Sequence, residues 1–151
     1  FLGFGVDSGI ASLTDFGGHW ERYDGDALET ALREYREESF SIFGKLTRDS
    51  VANCLVLPGY DTAEILLPVS GSLLKYSSTF TKLVSQHPDN EAQALVWLTL
   101  EQVFHLLEYP NCSFRGTKVY HMYYRIWDTL NSNRDLLHRI NEEGKCYGSS
   151  S

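Results

Sequence analysis

A chain of 151 residues, 42% hydrophobic and 13% aromatic, fits one domain able to bury its own core. Its formal net charge of −7 argues against a broad, sequence-independent grip on nucleic-acid backbones, which requires basic stripes. A nucleotide or an RNA end stays compatible with that charge where a bound divalent cation supplies the positive partner.

No apolar run reaches the length of a membrane span, and no signal peptide precedes the first strand. Cys54, Cys112 and Cys146 are scattered and odd in number, the pattern of reduced thiols in an intracellular, cytoplasmic protein. The chain is expected to form one domain over 1–145, with 146–151, "CYGSSS", as a flexible tail.

In chain order, "FLGFGV" suits a buried strand, and "IASLTDF" a second strand after an Asp-Ser-Gly turn. Asp24 or Asp26 can cap a helix running to about Ser39, with Leu28, Ala31, Leu32 and Tyr35 as its apolar stripe. "SVANCLVL" and "AEILLPV" flank "PGYDT" and predict a β-hairpin. "SLLKYSSTFTKLVSQ" predicts a helix, "QALVWL" a short buried strand, and "TLEQVFHLLE" a helix capped by Thr99. Val119, Met122, Tyr123, Ile126 and Leu130 have helical spacing, and Asn131–Asn133 break that helix before "RDLLHRINEE". Strands and helices alternate irregularly, which predicts an α/β or α+β sandwich, a mixed sheet flanked by helices.

The most informative stretch is "REYREE". Glu34, Glu37 and Glu38 fall on one side of the first helix, away from the apolar stripe. Like charges one turn apart repel. Either solvent and arginines absorb the repulsion, or the cluster ligates a hard cation such as Mg2+ or Mn2+. Arg33 is four residues before Glu37 and can pair with it. The preceding "DFGG" allows close backbone approach to a ligand.

With "DFGGHWE" before it, this stretch resembles the signature of the Nudix hydrolases, G-x5-E-x7-R-E-U-x-E-E-x-G-U, where U is bulky and apolar. Arg33, Glu34, Tyr35, Glu37 and Glu38 match its R-E-U-x-E-E core; the opening glycine falls on His19 by strict count, and one extra residue in "HWERYDGDA" brings it to Gly18. "NEAQALVWLTLEQVFHLL" is similar to the later strand and helix of that family, so the likeness covers residues 1–108. The match departs in places. The box's first glutamate would fall on Gly25, with only Glu21 or Asp26 nearby. Tyr35 replaces an aliphatic residue, and Phe40 stands where the box has Gly, as if the helix ran on toward "SFSIFG". The family's strand ahead of "FLGFG" is absent and expected upstream.

The resemblance implies a Mg2+- or Mn2+-dependent hydrolase cleaving a nucleoside diphosphate linked to another moiety, by attack of water on a pyrophosphate phosphorus. It implies Glu37 and Glu38 as principal metal ligands, Glu34 as a further ligand or base, Arg33 as their organiser, and the Gly18 carbonyl as an added ligand. Trp20 and Tyr23 are candidates for stacking on a base. Glu91 is a candidate general base or simply a flank of the late strand. The expected partner is a small-molecule pyrophosphate, with capped RNA or an inositol pyrophosphate as alternatives served by a basic groove from Lys118, Arg125, Arg134 and Arg139. A different class of function, a Nudix-fold nucleotide-binding module with weakened catalysis, is motivated by the missing glutamate and Phe40.

Overall fold

The computed structural model describes residues 1–7, 12–16, 25–59, 63–109, 121–143 and 146–150, with backbone only for 143 and 146–150. Alternation builds the sheet. In strand β1 (Leu2–Asp7) every position up to Gly5 is buried, and Leu2 and Phe4 point to one face. Gly3 points to the other, where a Cβ would come within 2.8 Å of the Trp97 ring, so glycine is what lets that ring lie on the strand.

Strands β2 (Ser12–Thr14) and β5 (Ala92–Leu98) run antiparallel to β1. Strands β3 (Leu55–Pro58) and β4 (Ala63–Val69) form the expected antiparallel hairpin. A two-residue β6 (His121–Met122) runs parallel to β2, and β7 (Cys146–Ser150) runs parallel to β1 and antiparallel to β4. The sheet order is β3-β4-β7-β1-β2-β6, with β5 also on β1.

Helices cover both faces, giving an α+β sandwich. On one face α4 (Leu100–Glu108), α5 (Tyr124–Ser132) and α6 (Arg134–Glu143) bury Val103, Leu106, Ile126, Leu130, Leu137 and Ile140 against Leu2, Phe4, Leu13, Leu57 and Leu66. On the other, α3 (Leu73–Gln86) packs Phe80 and Val84 on Phe16, Ala92 and Leu95. There α1 (Ala27–Ser39) and α2 (Arg48–Val51) place Leu32, Tyr35 and Val51 against Leu67. Each fully buried Leu or Phe contributes about 1.5–3 kcal/mol relative to exposure. The two-sided burial is therefore what holds the helices on. Among the described residues no helix is long and apolar enough to cross a membrane.

Four expectations need correction. Residues 146–151 are not simply a flexible tail, because 146–150 form β7 inside the sheet. Gly148, Ser149 and Ser150 have little strand propensity, but the backbone ladder of β7 with β1 and β4 does not depend on side chains. The helix expected to carry Met122 and Tyr123 begins at Tyr124; Met122 belongs to β6, and the Tyr123 N–H donates to Leu13 O at 2.9 Å. Val119 lies outside the described residues. In "SVANCLVL" the first part is helical, since Thr47 and Ser50 form a capping box that starts α2. Finally, the first helix does not run on past Phe40.

Candidate functional site

Local chemistry fixes α1. Asp26 caps it, accepting from the Glu29 N–H at 2.9 Å, which selects Asp26 for the capping role. The Arg48 guanidinium holds the Asp26 carboxyl below its usual range and also bonds Glu29, at 3.0 Å each. At the other end Phe40 takes a left-handed conformation, φ 58°, the geometry a glycine ordinarily supplies at this position. Its ring repays the strain by packing against Phe80 at 5.7 Å and His87 at 5.3 Å. Tyr35 explains the second departure from the aliphatic pattern. Its hydroxyl donates to Gly44 O at 2.7 Å and accepts from the Phe43 N–H at 3.0 Å, pinning the chain that leaves α1.

Arg33 is 8% exposed. Its guanidinium bonds Glu34 at 2.9 Å and Glu37 at 3.0 Å. The two carboxylates differ sharply: the Glu34 side chain is 12% exposed and that of Glu37 52%. Glu34 thus faces the protein, and Glu37 reaches over the rim toward Arg33.

Glu38 is half-buried beside the start of β5. The backbone N–H groups of Ala92 and Glu91 point at its carboxylate, yet Oε2 is buried and has no hydrogen-bond partner. Burial pushes its pKa up, and the charges of Glu91 and Glu34 push it further. Glu34 is likewise raised, first by burial, against the opposing pull of Arg33, with Glu37 and Glu91 adding repulsion. Asn90 holds this junction together: its Nδ2 donates to Glu38 O at 3.0 Å and to Ala92 O at 2.8 Å. Glu34, Glu38 and Glu91 are therefore electrostatic neighbours, brought together from α1 and the mouth of β5.

Among the described residues, no group of three or more His, Cys, Asp or Glu side chains stands ready as a metal cage. The donors still suit one kind of cation. Mg2+ keeps several waters and is held by one or two carboxylates plus substrate phosphates, rather than by an all-protein cage. Glu38, with an unused buried oxygen, and Glu34 beside it supply that number of ligands. A bound cation would also relieve the repulsion that burial and Glu91 impose.

Gly18, Trp20 and Tyr23 lie outside the described residues, as do His19 and Lys118. The rest of the expected basic groove is engaged elsewhere or dispersed: Arg134 bonds Glu108 and Asn131, Arg125 bonds the Tyr124 hydroxyl, and Arg139 is exposed on α6. Sequence reasoning missed Asn90, whose anchoring role has no local pattern. The chain matches no family model, no curated protein and no solved structure.

Proposed function

We propose that the chain is a Mg2+- or Mn2+-dependent pyrophosphohydrolase of the Nudix type, acting on a nucleoside diphosphate linked to another moiety. The observation that carries this reading is the meeting of Glu34, Glu38 and Glu91 around a buried, unpartnered Glu38 oxygen. An idle helix face has no reason to hold Glu34 and Glu38 partly out of water with Glu91 adding repulsion beside them.

Glu38 and Glu34 would hold the cation from the protein side, with Glu37 at the rim paired to Arg33. When bound, the cation neutralises the adjacent phosphates and admits a water nucleophile to phosphorus. Arg33 orients Glu34 and opposes the burial that raises its pKa, while Glu37 is tethered by the same guanidinium. Glu91, exposed at the start of β5, is the candidate to accept the proton of the attacking water. Asn90 fixes the distance between the two carboxylate-bearing segments.

The test is product release from a panel of nucleoside diphosphate derivatives, capped RNA and inositol pyrophosphates, with and without Mg2+ or Mn2+. Metal-dependent turnover on one class supports the reading and names the substrate. A second reading, a nucleotide-binding module with weakened catalysis, draws on the outward turn of Glu37 toward Arg33. It predicts nucleotide binding by calorimetry with no turnover on any member of the panel.

A further inference from the structure

The sheet is forked. Leu2 and Gly3 of β1 pair with β5 on one side and with Tyr147 and Gly148 of β7 on the other. Gly5 and Val6 pair with the same β5, but on the other side with Thr14 and Leu13 of β2. A strand has two edges, so β7 and β2 must share one edge of β1, end after end. From there β7 carries β4 and β3, whereas β2 carries β6. Two arms leave a single stem.

One carboxyl stands on each arm. Glu64 lies near the start of β4, on the same face as Leu66, opposite Leu57 of β3. It is 2% exposed, in the middle of an apolar layer, and its Oε2 has no hydrogen-bond partner. Asp15 directly follows β2, and its carboxyl lies within hydrogen-bonding reach of Glu64. Glu64, out of water beside a second carboxyl, gains by keeping a proton, which turns repulsion into an O–H···O bond.

We infer that Glu64 and Asp15 form a proton-sharing clasp that closes the fork between the β4 and β2 arms and releases it when the shared proton is lost.

Among the described residues, burial and Asp15 are what act on the Glu64 carboxyl, with no cation beside it. Across β3, Leu57 is apolar. Just before α5, Tyr123 faces Asp15 and also feels Arg125, whose guanidinium lies over the Tyr124 ring at 5.8 Å. Asp128 of α5 and His121 of β6 are exposed. Burial raises the Glu64 pKa well above its ordinary value, and the Asp15 charge raises it further. Because the folded-state value exceeds the unfolded one, the clasp's stabilisation is complete below the unfolded pKa. It is lost as pH rises through the folded value.

The test follows side-chain carboxyl carbons of the intact chain by NMR across a pH titration. The Glu64 resonance should stay protonated after the exposed glutamates have ionised, with its midpoint well above theirs. In parallel, urea midpoints are compared for the wild type and Glu64→Gln, a neutral side chain of the same size. From about pH 5 to about pH 8 the wild-type midpoint falls, and that of the variant stays level. Amide exchange, corrected for its intrinsic pH dependence, should accelerate at Thr14 and Glu64 in the wild type alone. An ordinary Glu64 titration overturns the inference, as does an equal pH slope in both proteins. Displacement of the Glu64 proton by Mg2+ at neutral pH would overturn it too, by making the pair a metal ligand. The NMR arm needs no variant, so poor folding of Glu64→Gln leaves the inference open to refutation.

Discussion

Replacing Arg33 with Met keeps most of the buried stem and removes the charge that serves two carboxylates. Breaking one side of a fully buried ion pair is destabilising by about 3–5 kcal/mol, because the other charge is left without a partner. Here the loss divides unevenly. Glu37 is 52% exposed and can turn to water, so its share is small. Glu34, at 12% exposure beside Glu38 and Glu91, cannot. The discounted expectation is about 2–3 kcal/mol at neutral pH. For a chain of this length that lowers Tm by roughly 4–12 °C, read by calorimetry or circular dichroism. The loss should shrink as pH falls, because protonating Glu34 removes the orphaned charge. Arg48→Met is the control: it too unpairs two carboxylates, Asp26 and Glu29, but in a half-exposed triad, and should leave Tm close to wild type. Equal, small shifts for both variants would refute the claim that Arg33 is the buried organiser of the acidic cluster.

Two further substitutions probe how α1 ends. Phe40→Gly relieves a left-handed backbone worth about 1 kcal/mol but forfeits about 2–3 kcal/mol of ring burial against Phe80 and His87. The net expectation is destabilisation by about 1–2 kcal/mol in urea titration, and a stabilised variant would show that backbone strain dominates. Tyr35→Phe leaves Gly44 O and the Phe43 N–H without their partner; a loss of about 1–2 kcal/mol is expected, against near neutrality if water replaces the hydroxyl.

What could be read from the sequence was local. The span of α1 follows from Asp26, the Leu28–Tyr35 stripe and the charged opposite face, and α4 follows from Thr99 and Gln102 in a capping box. The β3–β4 hairpin and β5 follow from short apolar runs between turn residues. What escaped depends on partners distant in the chain. β7 ends in Gly148, Ser149 and Ser150, whose place in the sheet is decided by the open edges of β1 and β4. β6 is two residues long, too short to show a period.

The same division holds at the acidic cluster. The glutamates of α1 were visible as a pattern, but which of them faces inward depends on where Arg33 is buried. The approach of Glu91 depends on Asn90 tying β5 to the end of α1. Glu64 did leave a signal, as the one acid inside the apolar run "AEILLPV". Its meaning required Asp15 on a strand far away in sequence.

The central claim is that Glu34 and Glu38 grip a hard divalent cation. Mn2+ binding, followed by electron paramagnetic resonance on the wild type and Glu38→Gln at about pH 6 and about pH 8, tests it most directly. Both glutamates have raised pKa values, so protons compete with metal and wild-type affinity should rise with pH. Glu38→Gln should bind more weakly by at least about tenfold and lose most of that pH dependence. It should also be no less stable than the wild type without metal, since it removes a buried charge. Equal Mn2+ affinity in the two proteins, or no binding by the wild type, would contradict the claim.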